Sequence, residues 1–282
     1  MTDPRLFAHR GFAGEAPENT VAAAEWVAGD VDPTTAAVSP RRRADWIEVD
    51  VVPTADGDVV VFHDADLSGR DGRGLTDATG LVWETDTATV TDAEVLDSGE
   101  TVPLLVDVLD AIPPDVGVNV ELKNPGRRDL RPDEKLAGDA LAERTAVWRP
   151  FVERVLAVTE GFGHDLLFSS FCEGALAAVR ELSSLPVAPL VSESVADGLA
   201  IAREHDAAAI HPPIDAVRGT PFFDAERFGG SWDGDSSDPL GVAHAEGRAV
   251  NVWTVETWYE ADRLAAAGVD GIVADYSAVL RE

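Results

Sequence analysis

Gly271-Ile272-Val273-Ala274-Asp275 places apolar side chains on successive residues. A strand with one face in water alternates apolar with polar residues. One that is apolar on both sides is covered on both, as in a parallel sheet flanked by helices. Seven more strand signals precede it, at 6–9, 46–52, 117–122, 166–170, 187–191, 207–211 and 249–254. Ala-, Leu- and Glu-rich helical stretches separate them, at 20–28, 103–111, 134–158, 173–182, 195–204, 239–246 and 257–266. Eight strands alternating with helices over 282 residues predict an α/β fold of the (β/α)₈ TIM-barrel type, whose usual size is about 250 residues. A doubly wound open sheet is the alternative, but no Gly-rich dinucleotide fingerprint follows any strand.

Three segments exceed a minimal barrel. Residues 29–43 are polar and contain Arg41-Arg42-Arg43, which reads as a solvated loop. Residues 65–101, rich in Asp, Gly and Thr, follow the second strand region and are long enough for a small lid or subdomain at the barrel mouth. Residues 219–237 form a late insertion with Phe222, Phe223 and Phe228. The expected organisation is one barrel domain over 1–282 with an insertion at about 65–101.

Hydrophobic residues make up 45% of the chain, enough for a large core despite a formal charge of −30. The acidic side chains are 31 Asp and 21 Glu, against 20 Arg and only 2 Lys. An acidic surface that avoids Lys is expected in a salt-rich cytoplasm, where a Debye length of ~3 Å at 1 M screens self-repulsion. Extreme halophily is therefore expected. The same charge argues against nucleic acid as a partner. The lone Cys172 excludes an internal disulfide and Cys-rich zinc clusters. No apolar run has the length of a signal peptide or a membrane span, so a cytoplasmic location is expected.

In a (β/α)₈ barrel the active site lies at the C-terminal ends of the strands. His9 and Arg10 close the first strand. Glu48 and Asp50 lie two apart in the second, on one face. His63 and Asp64 close the apolar run 59–62. Glu121 and Lys123 end the next strand, again two apart, and Trp253 lies near the end of the seventh. Glu48, Asp50 and Glu121 would repel in an apolar barrel unless a cation sat between them. All-oxygen ligation favours Mg²⁺ or Ca²⁺. Two histidines and two cationic side chains around such an ion suit a phosphate ester, with Arg10 on phosphoryl oxygens and the histidines moving protons.

These residues resemble the glycerophosphodiester phosphodiesterase family. The resemblance runs in order through His9-Arg10-Gly11, Pro17-Glu18-Asn19-Thr20, Glu48-Val49-Asp50-Val51 and Asp56-Gly57. It continues with Val61-Phe62-His63-Asp64, Glu121-Leu122-Lys123, Ser169-Ser170-Phe171, Val252-Trp253-Thr254 and the segment 268–275. It implies a TIM barrel, His9 and His63 as the acid–base pair, and Glu48, Asp50 and Glu121 as ligands of one divalent cation. Arg10 and Lys123 match phosphate-contacting positions, and Trp253 an aromatic lining the pocket. The implied substrate is a small glycerophosphodiester, attacked first by its own glycerol 2-hydroxyl to give a cyclic phosphate. Asn19 reads instead as the cap of the 20–28 helix. A lysophospholipase D or phospholipase C of the same superfamily, with the late Phe residues lining a lipid groove, is the alternative enzyme. A non-catalytic phosphate-ester-binding barrel would be expected to lack one histidine or a carboxylate. The loop 29–43 and the long charged region after Lys123 depart from the family pattern and bear on leaving-group specificity.

Overall fold

The structure, a computed structural model, describes residues 3–29, 42–69, 74–229 and 239–280. Nine strands are present among them: β1 (Arg5–Ala8), β2 (Trp46–Pro53), β3 (Val59–Val61), β4 (Gly117–Leu122), β5 (Leu166–Ser170), β6 (Val187–Pro189), β7 (Ala209–Ile210), β8 (Ala249–Val255) and β9 (Gly271–Ala274). Eight of them follow one another around the sheet in the order β6-β5-β4-β2-β1-β9-β8-β7, all parallel. Between β6 and β7, backbone bonds from Val191 N to His211 O (3.0 Å) and from His211 N to Pro189 O (2.9 Å) close the ring. The fold is the (β/α)₈ barrel that the eight apolar runs predict.

The helices are α1 (Val21–Trp26), α2 (Thr87–Thr91), α3 (Leu105–Ala111), α4 (Gly138–Thr159), α5 (Glu173–Leu182), α6 (Val195–Glu204), α7 (Ala225–Phe228), α8 (Pro239–Ala245) and α9 (Trp258–Ala267). Local chemistry sets their ends. At α9 the Thr257 hydroxyl accepts from Glu260 N while the Glu260 carboxylate accepts from Thr257 N, a reciprocal cap. The helix stops at Gly268, whose φ of +93° suits a residue without Cβ.

Alternation along the strands divides the core. Ile47, Val49 and Val51 of β2 and Val118, Val120 and Leu122 of β4 join the shell between barrel and helices, with Leu105, Leu109, Trp148, Val152 and Val155. Fully burying such side chains stabilises by roughly 1.5–3 kcal/mol each. The intervening residues point into the barrel. At its lower end they are apolar or small, with Leu167, Ala188, Ala209, Trp46 and Ala249 in one cluster. Higher up they are polar.

The ninth strand was not distinguished by the sequence patterns. β3 runs antiparallel to the projecting end of β2, pairing Val61 with Val51. The hairpin carries a separate small core of Val52, Val60, Phe62, Leu67, Val82, Val90, Ala93, Val95 and Val102. Trp83 of this insertion packs against Gly126 in the loop after β4. The insertion thus flanks the catalytic end, and none of its described residues between 65 and 101 lines the cavity at the mouth. Residues 30–41 and 230–237 of the two other predicted loops lie outside the described residues. No described helix is long and apolar enough to cross a membrane.

Candidate active site

β1 does not end straight. His9, Arg10 and Gly11 form a 3₁₀ turn in which Arg10 has φ +50° and Gly11 φ +79°. A Cβ on Gly11 would lie 2.5 Å from the Ala23 Cβ, so the close approach of α1 requires glycine here. The turn aims the Arg10 backbone N–H at Glu48 Oε2 (2.9 Å). It also carries the Arg10 guanidinium to Glu18 (2.7 Å) and within 3.3 Å of Asp50.

Glu48 and Asp50 project inward from β2, and Glu121 from β4, where Asp50 and Glu121 are register partners. One oxygen from each lies within 4.8 Å of the others, and all three residues are buried. Glu48 Oε1 has no hydrogen-bond partner among the described residues. Burial, reinforced by Asp50 and Glu121, pushes the Glu48 carboxyl well above the usual carboxylate range. Burial acts the same way on Asp50, but Lys123, His63 and Arg10 outweigh it and hold Asp50 far below that range. Burial disfavours the Lys123 charge too, and Glu121 and Asp50 overcome it and raise its pKa. A desolvated, all-oxygen triad with an unsatisfied carboxylate fits a hard divalent cation.

Both histidines flank this triad in a cavity of about 200 Å³, with Arg10, Glu48, Asn119, Glu121, Lys123, Phe171, His211 and Trp253 also on its walls. His9 Nδ1 lies 2.6 Å from Asp275 Oδ1, and its Nε2 4.0 Å from Glu48 Oε2. His63 Nδ1 lies 2.7 Å from Asp64 Oδ1. Lys123 Nζ stands 2.6 Å from Glu121 and 3.5 Å from Asp50. Trp253 donates its indole N–H to His211 O (2.8 Å) and meets Phe171 edge-on at 5.6 Å.

Of the residues singled out from sequence, His9, Arg10, Glu48, His63, Glu121, Lys123 and Trp253 line this one cavity. Asp50, wholly buried, stands behind it in the carboxylate triad. Asn19 needs correcting: the cap of α1 is Thr20, whose hydroxyl accepts from Ala23 N. Asn19 instead donates its amide to Asp50 Oδ2 (2.8 Å) and so orients a carboxylate of the triad. Phe222, Phe223 and Phe228 are not among the described residues on the walls of this cavity. Phe222 packs edge-on against Tyr259, Phe223 lies beneath Arg218, and Phe228 is buried. Sequence reasoning missed the roles of Asp275 and Asp64, although both stand at strand ends. It also passed over Asn119 and His211, inward positions of strands recognised correctly.

Residues 9–279 match the sequence profile of the glycerophosphoryl diester phosphodiesterase family. A glycerophosphodiester phosphodiesterase of Bacillus altitudinis is 25% identical over 283 residues, covering 96% of this chain and 94% of its own. Among solved structures, an Oleispira antarctica phosphodiesterase in complex with the product sn-glycerol-3-phosphate superposes with a TM-score of 0.69. It is 24% identical and covers 97% of this chain and 94% of its own. A glycerophosphodiester phosphodiesterase of Thermotoga maritima gives 0.65 at 20% identity, covering 98% and 96%.

Proposed function

The chain belongs to the glycerophosphoryl diester phosphodiesterase family, and on that premise we propose that it hydrolyses small glycerophosphodiesters to glycerol phosphate and an alcohol by two-histidine acid–base catalysis. The observation that carries this reading is the buried triad of Glu48, Asp50 and Glu121 at a cavity whose walls include two carboxylate-backed histidines, His9 and His63. A divalent cation, Mg²⁺ or Ca²⁺, held by Glu48, Asp50 and Glu121 would neutralise charge on the phosphoryl oxygens and lower the pKa of an oxygen bound there.

The protein groups divide the remaining work. Asp275 and Asp64 each accept an Nδ1–H, which assigns proton transfer to the Nε2 of His9 and of His63. One Nε2 takes the proton of the attacking glycerol 2-hydroxyl as the phosphorus–alkoxide bond breaks. The other gives a proton to the departing alkoxide. The resulting cyclic phosphate is opened by water with the two roles exchanged. Arg10 and Lys123 face the same cavity as fixed cations, suited to the non-bridging oxygens. Asn19, bonded to Asp50, keeps that carboxylate pointed at the triad.

The test pairs glycerophosphocholine with its lysolipid counterpart, each with and without a chelator. Turnover of the small diester, lost on chelation and restored by Mg²⁺ or Ca²⁺, is the expected result. Preference for the lysolipid would overturn the small-diester assignment. Undiminished turnover in chelator would remove the cation from the mechanism.

A further inference from the structure

Two residues on the inner wall of the catalytic cavity take no part in the proton transfers above. Asn119 and His211 both line it and are 2% and 1% exposed. Asn119 sits on β4 two residues before Glu121 and in register with Glu48. Two residues of strand span about 6.6 Å, comparable to the reach of a three-carbon polyol beyond its phosphate. The Asn119 Oδ1 is buried and has no hydrogen-bond partner among the described residues. Buried polar atoms are rarely left so, and one on a cavity wall points to a ligand or water that satisfies it.

His211 supplies the complementary group. Its Nε2 lies 2.9 Å from Asn251 Nδ2. Asn251 is itself held tightly: a Cβ on Gly271 would stand 2.3 Å from its Oδ1. With the amide nitrogen donating, the imidazole hydrogen falls on Nδ1, which has no partner among the described residues. Burial pulls the His211 pKa down to about 3, so the ring is neutral at ordinary working pH. The pair therefore offers an amide, with an unsatisfied acceptor oxygen, and an imidazole N–H donor, both without charge and mounted on barrel strands beside an ionic site. A hydroxyl both donates and accepts, and matches it.

We infer that Asn119 and His211 bind the terminal hydroxyl of the glycerol half of the substrate and select glycerol over shorter diols. This rests on the phosphodiesterase reading. The test compares kcat/KM for a glycerol phosphodiester and for the 2-hydroxyethyl diester of the same alcohol. The shorter diester keeps the attacking hydroxyl and lacks only the terminal hydroxymethyl group. The wild type is expected to favour glycerol by roughly 10²-fold, and Asn119→Ala and His211→Phe each to shrink that ratio by about tenfold, one hydrogen bond's share.

A wild-type ratio near one would overturn the inference, as would variants that lose both activities in parallel and keep the ratio. If His211→Phe fails to fold, Asn119→Ala and His211→Gln are read by the same ratio. A wild type inert on both diesters would defeat the phosphodiesterase reading instead. The inference is then decided by calorimetry with glycerol 3-phosphate and 2-hydroxyethyl phosphate, where equal affinities overturn it.

Discussion

A histidine at a strand end moves protons well only if its tautomer and ring orientation are held. Asp275 does this for His9 across 2.6 Å, and Asp64 for His63 across 2.7 Å. An amide at either position would match the carboxylate in shape but fail to hold the Nδ1–H tautomer. We therefore expect Asp275→Asn and Asp64→Asn each to lower kcat by roughly 10²–10⁴ with little change in KM. Single-turnover and steady-state kinetics at saturating divalent ion would separate the two parameters. A rise in KM alone would reassign the carboxylate to substrate binding. The same reasoning explains why Asn19 stands where it does. An αL residue (φ +59°) between Glu18 and Thr20, it reaches Asp50 while its neighbours hold Arg10 and cap α1. Asn tolerates that backbone region better than most side chains.

Among the elements, the β2–β3 hairpin links the barrel to its insertion. The outer residues Val52 and Val60 belong to the small core of the insertion, whereas Val51 and Val61 belong to the main one. One period-two ribbon thus anchors two cores on opposite faces. Leu67 is completely buried in the smaller core. Leu67→Ala should cost about 2–5 kcal/mol, the range for a cavity left by a buried leucine. Urea denaturation would measure that loss, and kcat/KM on a small diester should stay near wild type, because residues 65–101 contribute no cavity wall among those described. A collapse of kcat/KM in a folded variant would show that the insertion shapes the site after all.

For the whole molecule, the distribution of charge matters more than its total. Five acidic side chains are buried among the described residues: Glu48, Asp50, Asp64, Glu121 and Glu173. Three form the triad, Asp64 backs His63, and Glu173 is met by Lys135 (2.8 Å) and His205 (2.9 Å). Both lysines of the chain are thus spent on buried carboxylates, Lys123 on Glu121 and Lys135 on Glu173. Neither is left to dilute the acidic surface, and the formal charge stays at −30. Repulsion among surface carboxylates reaches ~30 Å at 0.01 M salt and ~3 Å at 1 M. A melting series in KCl at saturating divalent ion should therefore show the midpoint rising steeply toward molar salt. A flat or falling midpoint would count against the halophilic adaptation we propose from composition.

The sequence by itself determined the eight barrel strands and the inward pairing of Glu48 with Asp50, because burial on both faces and a period of two are local properties of the chain. It also marked seven helices, of which α5 and α6 have the boundaries read from their Ala- and Leu-rich runs. The antiparallel direction of β3 was not legible, since a short apolar run looks alike in either orientation. Nor was the partner of His9, which lies 266 residues away and meets it only because β1 and β9 are neighbours in the closed barrel. The orientation of His211 into the cavity is of the same kind, whereas that of Asn119, two residues before Glu121, follows from the period of two. For His211 it follows from ring closure between β6 and β7 and from the tight fit of Asn251 against Gly271, contacts between residues that no local pattern connects.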